Sequence, residues 1–137
     1  MDTILEMAID LACQLQADAR CEAVRAASQA ADEDEALQQL IGEFNLKRMA
    51  NNAEEAKDEA ERDAEKLREL NTELRSVYAS IMANDRMMAY NNAKTELDAI
   101  VNRIHMAINL AIQGQDPNLA AQESGCSGDC SSCGGCH

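Results

Sequence analysis

Apolar residues recur along this chain at steps of three and four, and no run alternates with a period of two, so the pattern predicts helices and no strands. Ile4, Ala8, Leu11 and Leu15, with Leu5 and Ala12 beside them, mark a first helix over residues 2–19. Thr3 and Glu6 have the spacing of a capping box at its start. Residues 21–30 form a short alanine-rich helix without a long apolar stripe, suited to close packing on a neighbour. The acidic run Asp32, Glu33, Asp34, Glu35 precedes the stripe Leu37, Leu40, Ile41, Phe44 and Met49. Acids favour the positive end of a helix dipole, so the run reads as a helix start. It lacks the alternating oxygen ligands and central glycine of a calcium loop.

Residues 51–68 are the most polar stretch, with a thin stripe of Ala53, Ala56, Ala60 and Ala64. The pattern allows one long exposed helix or a break near residues 58–62. Asp58 and Arg62 are spaced for a helical ion pair, but Glu59/Asp63 and Glu61/Glu65 oppose it. Leu67, Leu70, Leu74, Val77 and Ile81 then form a heptad-like seam. Ala83, Asn84 and Asp85 read as a stop and restart, with Asp85 as the cap of the next helix. The strongest stripe follows: Met88, Tyr90, Ala93, Leu97, Ile100, Val101, Ile104, Ile108 and Ala111. It ends at Gly114, and Pro117 prevents a restart. The expected fold is all-α, an antiparallel helical bundle or hairpin of about four to five helices. The expected division is a helical domain over residues 1–114 and a hinge with a cysteine-rich tail over residues 115–137, disordered unless metal orders it.

Composition sharpens this picture. Of six glycines, four lie in the last thirteen residues, and Pro117 is the one proline. Aromatic residues make up 2% of the chain, so its core must be built from Leu, Ile, Met and Ala with few large anchors. Burial against another subunit would help such a core. The patch Met82, Met87, Met88 and Met106 reads first as core filling and second as an adaptable partner surface. A net charge of −13 disfavours direct binding to nucleic acid or to an acidic membrane surface. The longest uncharged stretch, residues 104–115, is too short and polar to span a bilayer. The opening Met-Asp-Thr-Ile-Leu-Glu has no basic region and does not read as a signal peptide, so a cytoplasmic, reducing location is expected.

In such a compartment cysteines serve metals or redox chemistry more often than disulfides. Cys126, Cys130, Cys133 and Cys136 are spaced C-x3-C-x2-C-x2-C, with His137 adjacent and only Gly, Ser and Asp between them. Glycine permits the sharp turns that converging thiolates need, and small residues leave N–H groups free to bond sulfur. Three occupancies compete on spacing alone. An iron–sulfur cluster on the four cysteines comes first, zinc with His137 as alternative ligand second, and a tail that holds nothing stably third. The subspan Cys126, Cys130, Cys133 also has radical-enzyme spacing, but that chemistry needs a barrel and this chain has no strands. Cys13 and Cys21 read as small buried apolar residues, and His105 as a packing or surface residue.

The stretch from Val77 through Tyr78, Ile81, Met82, Asn84, Met87, Met88, Tyr90, Asn91, Ala93, Lys94, Leu97 and Asp98 to Ile104 resembles the YlbF/YmcA family of bacterial regulators. The Gly114-Gln-Asp116-Pro117 hinge and the ending Gly-Cys-Ser-Gly-Asp-Cys-Ser-Ser-Cys-Gly-Gly-Cys-His are similar to its clostridial-type branch. The resemblance implies an α-helical fold that forms a homo-oligomer or pairs with paralogous subunits. It implies a complex carrying iron–sulfur clusters, linked to competence, biofilm formation, sporulation and RNA processing by an RNase Y-type endoribonuclease. It makes Cys126, Cys130, Cys133 and Cys136 candidate ligands of a cluster, 4Fe-4S in the first instance.

The leading expectation is therefore a cytoplasmic, non-enzymatic regulatory adaptor with a tethered soft-metal site. The alternatives are a zinc- or copper-handling protein and a purely structural helical oligomer. No nucleophile–base pair and no glycine-rich phosphate loop point to catalysis.

Overall fold

The computed structural model describes residues 1–122. Its elements run α1 (Thr3–Gln16), α2 (Ala19–Glu33), α3 (Glu35–Glu55), α4 (Ala64–Ala83), α5 (Asp85–Ile112) and a short 3-10 helix, η1 (Pro117–Ala121). The described residues are all-helical, as the three-four periodicity predicts. The chain forms two compact units, Met1–Leu97 and Asp98–His137.

In the first unit, α3 and α4 form a hairpin, α2 packs on α3, and α1 adjoins α2. The seam holds a small core. Ala31, Leu37, Val77 and Ile81 are buried, with Leu40, Ile41, Phe44 and Met87 half-buried around them. Leu37 has no solvent exposure at all. The rings of Phe44 and Tyr78 meet across the hairpin at 6.3 Å, tilted by 46°.

Short polar side chains place the helix ends. Asp34 ends α2 and caps α3, its Oδ1 accepting the Leu37 N–H at 3.1 Å. Its second oxygen accepts from Asn84 Nδ2 at 3.3 Å. Asn84 Oδ1 accepts the N–H groups of Arg86 and Met87 at 2.9 and 3.1 Å, so Asn84 opens α5 and not the expected Asp85. The reason is position: the residue just outside a helix is the one whose side chain can turn back onto the free N–H groups, and Asp85 is already helical. The same shift applies at the first helix. Asp2 accepts the Ile4 N–H at 2.8 Å and is the cap, and Thr3 is the first helical residue.

The polar stretch breaks. Residues 56–63 leave the helix, and Glu54, 2% exposed, holds the connection. Its Oε1 accepts the Asp63 N–H at 2.8 Å. Its Oε2 lies 2.7 Å from Lys57 Nζ and 3.7 Å from Lys66 Nζ. Asp63 in turn caps α4 by accepting from Glu65 and Lys66. The like charges around residues 59–65 oppose a continuous helix, and one buried carboxylate gathers the cations on both sides of the break.

In the second unit, α5 ends at Ile112 and Gly114 takes φ 75°, a left-handed backbone that favours glycine. Pro117 does not stop helix formation outright. It opens η1, capped by Asp116, whose Oδ1 accepts the Asn118 N–H at 2.9 Å. A proline suits the first position of a helical turn, where its missing N–H has no partner to lose. Ala120 of η1 is buried.

Candidate functional site

Two features could carry function: the helix faces that the fold leaves open, and the cysteine tail. The first is visible in the described residues. Neither α1 nor α5 buries any residue. Along α1, Ile4 is 78% exposed, and Leu5, Met7, Ile9 and Leu11 are exposed with it. The stripe that predicts a helix here would suit a core contact, and none of its residues is buried among the described residues. The acids Asp2, Glu6 and Asp10 step by four along the opposite side of α1, and no Lys or Arg occurs before Arg20.

On α5 the stripe reaches only partial burial. Tyr90, Ala93 and Leu97 of the first unit are half-buried, as are Ile100, Ile104 and Ala107 of the second, while Ile108 is exposed. Within the second unit, Ile100, Ile104, Pro117 and Ala120 line an open cleft of about 340 Å³. The methionine patch divides. Met87 packs on the core and Met82 is half-buried, whereas Met88 and Met106 are exposed. Core filling therefore accounts for Met87.

The first unit contains a further cleft of about 210 Å³ where Ala31, Asp32, Leu37, Ile41, Met87 and Tyr90 meet. Its lining mixes these apolar residues with Ser28, Asp32, Gln38 and Tyr90.

The electrostatics of the described residues are structural. Arg20 donates to both carboxylate oxygens of Asp18, at 2.9 and 3.2 Å, and lowers the Asp18 pKa to about 2. Lys57, helped by the Asp63 N–H, holds Glu54 below its ordinary value against the opposing effect of burial. The Leu37 N–H, then Asn84, does the same for Asp34. Each lowered carboxylate sits at a helix end or across a loop, where it fixes backbone.

Cys13 is exposed and Cys21 half-buried, so the expectation that both are buried is not met for Cys13. It lies on the side of α1 that carries Asp2, Glu6 and Asp10. His105 is exposed. Among the described residues no group of three or more His, Cys, Asp or Glu side chains could hold a metal ion. Cys126, Cys130, Cys133, Cys136 and His137 lie outside the described residues. What is described is their root: Gly114, Asp116 and η1 set the direction in which the chain leaves α5.

No helix among the described residues is long and apolar enough to cross a membrane. No curated protein and no solved structure matches the chain. One family profile does match, described as control of competence regulator ComK, YlbF/YmcA, over residues 4–113. The match stops just short of Gly114, so it covers the helices and none of the tail cysteines. With most of its length matched and an all-helical fold of the expected order, this chain belongs to the YlbF/YmcA family.

Proposed function

We propose that this chain is a non-enzymatic regulatory adaptor. Its exposed helix faces bind a second copy or a sibling subunit, and through them an RNA-processing ribonuclease complex. Its tail holds a soft-metal centre. The observation that carries the reading is that α1 and α5 are each amphipathic helices that bury no residue of their own. An amphipathic helix gains most of its stability from packing its apolar face, so these faces are suited to association. The family's description as a control of the competence regulator ComK supports a regulatory role.

The donor chemistry of the tail fits a soft metal: four thiols within eleven residues and one adjacent imidazole. Cys126, Cys130, Cys133 and Cys136 hold an iron–sulfur cluster in this reading, and such a centre supplies sensitivity to oxidant. Loss or oxidation of the centre changes the affinity of the helices for their partner, which biases the complex between two states.

Anaerobic purification of the full chain, followed by iron, zinc and acid-labile sulfide assays, tests the centre. Iron and sulfide in comparable amounts, both lost in Cys130→Ser and Cys133→Ser, are expected. A colourless protein with stoichiometric zinc and no sulfide overturns the iron–sulfur reading while leaving the adaptor in place.

A further inference from the structure

The buried positions of the α3–α4 hairpin change character along its length. At one end, Leu37 of α3 joins Val77 and Ile81 of α4 in the apolar core. Toward the loop the pattern inverts on α3. From residue 45 to residue 55 no apolar side chain is buried or half-buried, and Leu46 and Met49 are 70% and 65% exposed. The covered residues there are Lys47, Asn51 and Glu54, which follow a four-three step along one side of the helix.

These three make a polar seam. Lys47 Nζ lies 2.9 Å from Glu73 Oε2 of α4. Glu54 reaches Lys66 of α4 at 3.7 Å and accepts the Asp63 N–H at 2.8 Å. Asn51 is 8% exposed, and its buried Oδ1 accepts from no donor among the described residues. An acceptor buried without a donor gives up its hydration for nothing. On α4 the same half contributes Leu67 and Leu70, both only half-buried.

The two halves therefore differ in what opening costs. Separating the core end puts Leu37, Val77 and Ile81 into water. Separating the loop end hydrates Asn51 and exposes little apolar surface, so the main loss is the set of contacts around Glu54. Segments with few buried apolar contacts open below the free energy of global unfolding.

We propose that the loop half of the hairpin is a latch. Residues 47–55 part from residues 63–73 as one unit while the Leu37 end stays folded, and the Glu54 carboxylate holds the latch shut. Asn51 keeps it from being permanently closed. Opening uncovers Leu67 and Leu70, so the device controls access to the apolar side of α4 near the loop.

Native-state hydrogen exchange of the full chain, followed segment by segment with increasing urea, tests this. Amides of residues 48–52 and 68–71 are expected to exchange at least about tenfold faster, relative to their intrinsic rates, than those of residues 40–44 and 77–81, and with a weaker urea dependence. Glu54→Gln is expected to speed the two loop-half segments together by about tenfold, and Asn51→Leu to slow them together by a similar factor. Ile81→Val, at the other end, is expected to speed exchange of residues 40–44 and 77–81 by about fivefold and to leave the loop half unchanged, because the loop half opens with the core intact. Fraying of a single helix end would move one of the two loop-half segments without the other. If Ile81→Val speeds every segment alike, the hairpin opens only as a whole and the proposal falls. It falls equally if Glu54→Gln and Asn51→Leu leave the loop-half rates where they were, or move one helix alone.

Discussion

Asp34 and Asn84 show how much of the fold depends on single side chains. They are fifty residues apart in the chain and hydrogen-bonded to each other, and each caps a different helix. Removing one loosens both corners. Asn84→Ala is expected to lower the unfolding free energy by about 1 kcal/mol, read from urea denaturation, because the Arg86 and Met87 N–H groups lose their acceptor. Leu37 is the residue the core can least spare. Leu37→Ala is expected to cost about 2–5 kcal/mol, enough to unfold much of the hairpin unit, because the buried neighbours cannot collapse into the space.

Glu54 makes the pH dependence specific. Its pKa is held below the ordinary 4.5 by Lys57 and the Asp63 N–H, so the folded state binds its proton less readily than the unfolded state does. The stability this contributes is complete above 4.5 and is lost as pH falls through the lower, folded value. Denaturation series from about pH 6 to about pH 3 are expected to show a steep acid loss that is flatter in Glu54→Gln.

At the scale of elements, the hairpin and the open helices divide the work. α3 and α4 own the core, and α2 closes it, so the chain's stability resides there. α1 contributes almost nothing to burial, since every residue of its apolar side except half-buried Leu15 is exposed. Deleting residues 1–16 is therefore expected to change the unfolding free energy of the remainder by no more than about 0.5 kcal/mol. The same deletion is expected to abolish capture of a sibling subunit in a pull-down. A large loss of stability on deletion would show that α1 belongs to the core after all. The break at residues 56–63 serves this division, since it lets α4 return along α3 and not continue away from it.

For the whole molecule, the net charge of −13 is the term that any association must overcome. Copies of a chain at −13 repel one another wherever their acids meet, and salt screens that repulsion. If association runs through uncharged faces, raising the salt from about 0.05 to about 0.5 M strengthens it. If it runs through ion pairs, the same titration weakens it. The tail adds a condition the helices lack. Its thiols are separated by Gly, Ser and Asp alone and carry no apolar shell of their own, so a centre held there gains protection from whatever surface covers it.

The helical class, the start of α3 in the acidic run, the α4 seam and the restart near Asn84 were legible in the sequence, because period and capping chemistry are local. Local rules also proposed two outcomes for residues 51–68, and the tertiary structure chose the break. That choice depended on Glu54 meeting Lys66 and Asp63 from the far side of the loop, a contact that no short-range pattern contains. Caps shifted by a residue at Asp2 and Asn84, since several neighbouring polar side chains satisfy the pattern and only backbone geometry selects among them. Cys126, Cys130, Cys133 and Cys136 are candidate ligands from their spacing alone, and they lie outside the described residues. The stripes of α1 and α5 marked helices correctly, and among the described residues neither helix holds a fully buried side chain. Periodicity records that a face is apolar, and only the folded chain shows whether its own residues cover that face or leave it for another molecule.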